Sequence, residues 1–231
     1  MKLQKETEAG SVEHGRWYGD ACGTAFGLEL IGERWSLLVV RELMLGPRRF
    51  SELRASLAGI SAKVLTERLA TLEEAGVLAK RRLPSPAPVQ VYELSEWGYR
   101  AEPLIQELGR WAAMSSGHDP TLPLSPVSLM LSLRTMFDPA KAAGMEATIG
   151  FDIAGEQFVA HMKDGAIPIR RGEARDADAV FRAPAAPVMA GLLYGDVPPE
   201  ELEREAGLVI EGDRERALRF VAIFELPDKL A

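Results

Sequence analysis

The sequence contains little of what builds disulfide-stabilised proteins or metal centres. It has one cysteine, Cys22, among 231 residues, so no intrachain disulfide can form. Its three histidines, His14, His118 and His161, lie far apart, and no cysteine or carboxylate stands near them at the spacing that zinc sites use. We therefore predict no metal and no cofactor.

Targeting segments and catalytic motifs are also missing. There is no signal peptide and no long apolar run, which indicates a cytoplasmic chain that does not associate with membranes. No nucleophile-elbow, Walker or dinucleotide-binding motif is present. We predict that the protein is not an enzyme and has no catalytic residues.

Charge is distributed unevenly along the chain. The 27 basic and 34 acidic residues give a net charge of −7, which by itself argues against a nucleic-acid partner. From Arg34 to Arg82, however, ten basic residues stand against five acidic ones, whereas residues 121–231 carry 12 basic and 18 acidic residues. This asymmetry suggests two parts with different functions, the first of them able to approach DNA.

The basic part contains the pattern of two short helices joined by a sharp turn. Phe50, Leu53 and Leu57 are spaced as one apolar stripe, and Ser51 is the predicted cap of this first helix. Gly59 can adopt the left-handed conformation that a tight turn between packed helices requires.

The second helix of the pair has a defined start, apolar face and end. Ser61 is its predicted N-cap, Leu65, Leu69 and Leu72 repeat on one face, and Gly76 stands where a helix-ending glycine is expected. Residues 77–83 and 89–94 then alternate as strands around a proline-rich tip at 84–88. This order predicts a winged helix-turn-helix, and therefore DNA binding.

The outer face of the second helix carries the candidates for DNA contact. Its N-terminal part enters the major groove in a helix-turn-helix, so base edges are assigned to Ala62, Lys63, Thr66 and Glu67, and a phosphate to Ser61. Phosphate contacts at the base of the wing are assigned to Lys80, Arg81 and Arg82. Solvated charge without a DNA role is the alternative for both sets.

Residues 22–111 resemble the HxlR branch of the bacterial MarR-like regulators. The resemblance is carried by ELIGERWSLLVVREL, by GPRRFSELRASLAGISAKVLTERLATLEEAGVLAKR and by YELSEWG. It implies a dimeric, cytoplasmic transcriptional regulator that binds double-stranded DNA.

The same resemblance assigns particular positions. Arg48 and Arg49 match the basic pair of the family, and its recognition-helix positions are matched by Ser61, Lys63 and Thr66. Wings of the family often carry an arginine where this chain has Gln90. Minor-groove reading by the wing therefore stays open.

Two apolar helices flank the motif and are candidates for a homodimer interface. We predict one over residues 95–115, kinked at Pro103, and another near residues 26–31. Packing within the chain is the alternative. Their apolar residues are Leu104, Leu108 and Trp111 in the first, and Phe26, Leu28, Leu30 and Ile31 in the second.

Cys22 is a candidate redox sensor, because some HxlR-like regulators respond to electrophiles or oxidants through a cysteine near this position. An inert packed thiol is the alternative. Trp35 is interpreted as a core residue.

Residues 115–126 are rich in helix and strand breakers and mark a boundary. We predict a DNA-binding and dimerisation domain at 1–116, a linker at 117–126 and a second domain at 127–231, each of a size that folds as a compact unit. The second domain has the pattern of a helix, a strand meander over 147–153, 156–163 and 165–170, and further strands and helices. The fold class is therefore α+β, with a mainly helical winged domain followed by an α+β domain.

DADAVFRAPAAPVMAGLLYG and GLVIEGDRERALRFVAIFELP resemble the sterol-carrier-protein-like fold. That resemblance implies a hydrophobic small-molecule effector bound beneath a sheet, and large adaptable side chains are the candidates to contact it, although core packing explains each equally well. They are Met130, Leu133, Met136, Phe137, Phe151, Phe158, Met162, Phe181, Met189 and Phe220.

The sequence thus predicts a homodimeric transcriptional regulator whose operator affinity is modulated by an apolar molecule in its C-terminal domain. The alternative is a carrier or storage protein for hydrophobic ligands, in which the N-terminal domain mainly dimerises.

Overall fold

The structure is a computed structural model that describes residues 18–83 and 88–230. The N-terminal unit consists of α1 (Gly23–Ile31), α2 (Ser36–Leu43), α3 (Phe50–Ser56), α4 (Ala62–Glu74), β1 (Leu78–Leu83), β2 (Val89–Leu94), α5 (Glu96–Tyr99) and α6 (Glu102–Ala113). The C-terminal unit consists of α7 (Pro126–Met136), β3 (Ala147–Ile153), β4 (Glu156–Met162), β5 (Ile169–Arg171), β6 (Ala179–Ala183), α8 (Ala186–Tyr194), α9 (Pro199–Glu205), β7 (Val209–Gly212) and α10 (Arg214–Val221).

The helix-turn-helix prediction is confirmed in its local details. Gly59 has a φ of +88° in the turn between α3 and α4, and Gly76 has a φ of +72° just after α4. The Ser61 Oγ accepts a hydrogen bond from the Val64 N–H at 3.2 Å, so the predicted N-cap is in place.

The predicted cap of α3 is wrong. The helix begins at Phe50, one residue before Ser51, and Arg49 occupies the N-cap position. The Glu52 carboxylate accepts a hydrogen bond from the Arg49 N–H at 2.8 Å. A glutamate at the third helical position satisfies the N–H of the residue that precedes the helix, which favours a start at Phe50.

The two strands after α4 form an antiparallel hairpin from the Leu78–Leu94 pair to the Leu83–Val89 pair. A further backbone bridge joins Arg48 to Tyr92, with N–O distances of 2.9 and 2.8 Å, and fixes the hairpin beside α3. The predicted stiff wing tip falls largely on residues 84–87, which lie outside the described residues.

The predicted kinked helix over 95–115 is two helices. The helical conformation is interrupted between α5 and α6, at Arg100 and Ala101. Pro103 lies in the first turn of α6, where its missing N–H and fixed φ cost nothing. The proline therefore starts a helix instead of bending one.

The C-terminal unit is built on a five-stranded sheet in the order β5-β4-β3-β6-β7. The meander β3-β4-β5 is antiparallel as predicted, although β5 is shorter than expected. β6 returns to pair in parallel with β3, so the meander supplies three of the five strands. Helix α9, with the highly charged sequence PEELERE, was not anticipated from the apolar pattern.

Aromatic side chains fill the core of this unit. Phe151 and Phe181 face each other across β3 and β6 with ring centroids 5.7 Å apart, and Phe220 lies 6.0 and 6.4 Å from them. Phe224 adds an edge contact at 4.9 Å from Phe220. Stacked and tilted rings at these distances are in direct contact and leave no space for a ligand between them.

The residues predicted to contact an apolar effector are therefore core residues in this structure. All are at most 9% exposed except Phe137, which is partly buried and packs against the core. Size and apolarity, the properties that indicated a ligand contact, are also the properties that drive core formation.

The two units pack against each other. Helix α7 contacts α6 and α2, and the buried apolar cluster runs without interruption from one unit to the other. Ser125, at the end of the predicted linker 117–126, caps α7 and also donates a hydrogen bond from its Oγ to Glu42 Oε1 at 2.7 Å. The C-terminal unit is thus anchored directly on the helix-turn-helix.

Candidate nucleic-acid interface

The outer face of α4 is polar and accessible. Leu65, Leu69 and Leu72 are buried on the inner face, whereas the Lys63 side chain is 86% exposed and Thr66 and Glu67 are also exposed. Lys63 Nζ lies 3.9 Å from Glu67 Oε1, a surface pair that contributes little and can be exchanged for other partners. Ala62 is half-buried and Ser61 is exposed at the start of the helix.

The Thr66 side chain already has a partner within the helix. Its Oγ1 donates to the Ala62 carbonyl oxygen at 2.9 Å. Its methyl group and the remaining lone pair of its oxygen stay available on the outer face.

The three predicted wing cations are exposed on β1 but differ in their partners. Lys80 Nζ lies 2.8 Å from Glu73 Oε2 at the end of α4, and this hydrogen bond raises the pKa of Lys80 and lowers that of Glu73. Arg81 Nη1 lies 2.8 Å from Glu93 Oε2 on β2. Arg82 makes no ion pair with the part of the chain that the structure describes. The Lys80–Glu73 pair joins β1 to the end of α4.

The arginine pair before α3 divides into one exposed and one buried residue. Arg49 is exposed, whereas the Arg48 side chain is only 6% exposed. Arg48 Nη2 donates to Glu156 Oε1 at 3.0 Å, and its Nη1 lies 3.7 Å from Glu42 Oε2. The prediction that Arg48 contacts DNA does not agree with this position, because a buried guanidinium held by two carboxylates cannot reach a phosphate.

Glu42 is the residue that sequence reasoning missed. Its side chain is fully buried, and its Oε1 accepts hydrogen bonds from Arg41 and from Ser125, while its Oε2 has no hydrogen-bond partner within the part of the chain that the structure describes. A signal was present, since Glu42 interrupts the apolar run of α2 on the face that carries Val39 and Leu43. A carboxylate at such a position requires a cation or a hydroxyl group from elsewhere in the fold.

Glu156 is the second carboxylate that binds Arg48, and it also binds Arg171. Burial favours its protonated form, but the hydrogen bond from Arg171 and the charges of Arg48 and Arg171 outweigh burial and lower the pKa of Glu156. The carboxylate is therefore charged at neutral pH and bridges two arginines across the boundary between the units.

Cys22 is exposed immediately before α1. The amide and hydroxyl groups of Thr24, and then the amide of Ala25, lower the pKa of its thiol. An exposed thiol with stabilised charge is accessible to modification, unlike the inert packed thiol that was the alternative.

Large apolar side chains are exposed to solvent on α6 and α1, the two helices that flank the helix-turn-helix. On α6 these are Leu104, Leu108 and Trp111, the last of them 71% exposed. On α1 they are Phe26 and Leu28. Exposed apolar groups gathered on one helix are typical of a protein contact surface.

Metal-binding clusters and membrane-spanning helices are both absent from residues 18–83 and 88–230. No group of three or more histidine, cysteine, aspartate or glutamate residues there could hold a metal ion. No helix in that part is long and apolar enough to cross a membrane.

A helix-turn-helix with an exposed polar recognition face and a basic hairpin beside it defines a winged helix-turn-helix protein. Residues 30–119 match the family model described as HxlR-like helix-turn-helix. The HTH-type transcriptional regulator YvaP of Bacillus subtilis, itself described as uncharacterized, is 37% identical over 86 residues, which are 37% of this chain and 79% of YvaP. This chain belongs to the HxlR-like family.

A second relative is the HTH-type transcriptional regulator YodB of Bacillus subtilis, 37% identical over 83 residues, which are 36% of this chain and 74% of YodB. The reduced form of YodB has a solved structure that matches with 33% identity and a TM-score of 0.39, covering 42% of this chain and 98% of YodB. Residues after 119 lie outside the family model.

Proposed function

We propose that this protein is a homodimeric DNA-binding transcriptional regulator whose operator affinity responds to a small molecule bound with the help of its C-terminal unit. The observation that carries the proposal is the exposed face of Lys63, Thr66 and Glu67 on α4, directly beside the cations of β1. Its relatives YvaP and YodB are named as transcriptional regulators, which favours this function over a carrier or storage role.

In the proposed complex α4 enters the major groove from its N-terminal end. Lys63 and Glu67 then face base edges, and Ser61 and Arg49 face the phosphates on either side of the groove. Lys80, Arg81 and Arg82 lie along the flanking backbone. Lys80 and Arg81 have to exchange their carboxylate partners for phosphates. A phosphate contact by Arg82 requires no ion pair of the described residues to break.

Two copies are needed to read two half-sites, and the exposed apolar faces of α6 and α1 are the proposed contact between them. The proposed effector acts by preferring one arrangement of the two recognition helices. A tenfold change in operator affinity requires about 1.4 kcal/mol of differential binding.

Lys63→Ala is expected to weaken operator binding by about 5- to 150-fold, the effect of losing a base contact worth about 1–3 kcal/mol. Fluorescence anisotropy with labelled DNA from upstream of the protein's own gene, across a salt series with nonspecific competitor, measures the change. Circular dichroism should be unaltered because the Lys63 side chain contacts only Glu67 at the surface.

Lys163→Ala is the matched control. Lys163 is also an exposed lysine with a carboxylate, that of Glu146, at 3.9 Å, but it lies in the C-terminal unit. We expect its operator affinity to equal that of the wild type. Equal affinities for Lys63→Ala and the wild type would contradict the assignment of α4 as the reading helix.

Cys22 should react with iodoacetamide at lower pH in the folded protein than in the unfolded chain. The groups of Thr24 and Ala25 that lower its pKa are lost on unfolding, so the thiolate fraction at a given pH falls. Mass spectrometry of the alkylation rate between about pH 6 and 10, in buffer and in urea, compares the two midpoints. Coincident midpoints would remove the basis for a reactive thiol.

A further inference from the structure

A cleft of about 790 Å³ lies between the helix-turn-helix and the C-terminal unit. One wall is formed by the start of α2 and by α3 with the residues that follow it, and the other by residues 123–128, the β3–β4 turn and Arg171. Its apolar surface comes from Trp35, Leu38, Leu57 and Pro126. The volume is that of a site for a small organic ligand.

The polar side of this cleft is dominated by guanidinium groups. Arg41, Arg48 and Arg171 all line it. Nη1 of Arg48 and both Nε and Nη2 of Arg171 are buried and have no hydrogen-bond partner among the described residues, although Nη1 of Arg48 lies 3.7 Å from Glu42 Oε2. Buried N–H donors without an acceptor cost free energy unless a ligand or water accepts from them. These donors of Arg48 and Arg171 therefore favour an acceptor in the cleft.

The charges around the cleft do not cancel. Glu42 and Glu156 are the carboxylates bound to Arg41, Arg48 and Arg171, which leaves one positive charge in excess. Glu52 at the rim is exposed and lies opposite Arg49, so this pair adds no net charge. A ligand with a single negative charge would neutralise the excess.

Arg171 is also held in place for such a role. Its Nη1 donates to Glu156 Oε2 at 2.5 Å, and its guanidinium lies 4.9 Å from the centre of the Phe158 ring. These contacts fix the plane of the group and leave two of its N–H edges unused. A planar, oriented guanidinium is suited to a carboxylate, which can accept two parallel hydrogen bonds.

We propose that this cleft is the effector site and that it binds a small organic carboxylate. The carboxylate accepts hydrogen bonds from Arg48 and Arg171, and an apolar body lies against Trp35, Leu38 and Leu57. The regulatory part of this inference rests on the proposed function. The ligand is placed at the boundary between the two units and not beneath the sheet of the C-terminal unit.

The location of the cleft explains how occupancy reaches DNA. Its inner wall includes Leu57 and Ala58, which lead through the Gly59 turn directly into α4. Arg48 joins the units through Glu156. A bound carboxylate competes with Glu156 for Arg48, so it favours a different position of the recognition helix relative to the C-terminal unit.

Isothermal titration calorimetry on the full chain without DNA tests the site. The probes are 1-naphthylacetate, 4-phenylbutyrate and decanoate, each compared with its neutral primary amide. We expect at least one acid to bind about tenfold or more tightly than its amide, as one added charge-assisted contact predicts. Equal affinity of every acid and its amide, or no binding by any acid, would overturn the proposal.

Two variants locate the binding. Arg171→Met removes the guanidinium but keeps an unbranched side chain next to Phe158, and it should abolish the preference for the acid over the amide. Ala55→Trp places an indole in the cleft from an exposed position on α3 and should block the binding of the acid and of its amide. Ala143→Trp, at an exposed position that does not line the cleft, is the control and should bind as the wild type. Unchanged binding by Ala55→Trp would place the ligand elsewhere.

The link to regulation is measured by repeating the operator anisotropy with a saturating concentration of the acid that binds. We expect a change of about tenfold or more in operator affinity, and none with Arg171→Met. Unchanged operator affinity would overturn the effector role of the cleft. Calorimetry needs no DNA, so a failure of the cleft and a failure of the proposed DNA-binding function give different results.

Discussion

Glu42→Ala is expected to lower the free energy of unfolding by about 3–5 kcal/mol, the cost of breaking a buried ion pair by removing one partner. The carboxylate is fully buried and accepts hydrogen bonds from Arg41 and Ser125, while its second oxygen faces Arg48. Its removal leaves the buried Arg48 with Glu156 alone and Ser125 without its link to α2. Urea unfolding followed by tryptophan fluorescence and circular dichroism measures the loss.

Glu205→Ala is the control, because Glu205 has the same local partner without the burial. Arg204 donates to Glu205 Oε1 from Nε at 3.2 Å and from Nη2 at 2.7 Å, as Arg41 does to Glu42 at 3.1 and 2.8 Å. Glu205 is well exposed, and its pair should contribute no more than about 1 kcal/mol. Similar losses in the two variants would mean that the buried contacts of Glu42 with Ser125 and Arg48 add no stability.

Trp111→Glu should convert the proposed dimer into a monomer. Trp111 is the most exposed of the large apolar residues on α6, and a buried tryptophan at an interface contributes about 2–4 kcal/mol when truncated. A carboxylate there must also be desolvated, so the dimer dissociation constant should rise by about 100-fold or more. Analytical ultracentrifugation measures the constant, and operator affinity should fall with it because two half-sites require two recognition helices.

Trp97→Glu provides the matching control. Trp97 is an exposed tryptophan on α5, outside the apolar face of α6, and its replacement should leave the dimer intact. A Trp111→Glu protein that still sediments as a dimer would exclude α6 as the contact between copies.

Local sequence signals were sufficient for the helix-turn-helix. The cap at Ser61, the glycine turn at Gly59 and the leucine spacing of α4 depend on residues three or four positions apart, where backbone geometry follows directly from the side chains. The exposed recognition face followed from the same spacing. The cap of α3 failed because the Glu52 carboxylate accepts a hydrogen bond from the Arg49 N–H, which favours a helix that begins one residue before Ser51.

The effector prediction shows where apolarity ceases to be informative. Phe151, Phe181 and Phe220 have the size and apolarity expected of side chains that line a ligand pocket, yet their rings contact each other. A ring that lines a cavity and a ring that fills one have the same sequence pattern. Only the positions of its neighbours, which belong to other strands and helices, distinguish them.

The sequence by itself determined α4 with its exposed polar face, the basic hairpin and the existence of a second α+β unit, because these features arise from short-range periodicity and capping. Tertiary structure alone decided the role of Arg48, which meets Glu156 across 108 positions of the chain, and it alone created the charged cleft between the units. A guanidinium next to an exposed Arg49 has the same local pattern whether it faces a phosphate or a buried carboxylate. The choice depends on which distant side chains the packing of α7 and the sheet brings to it.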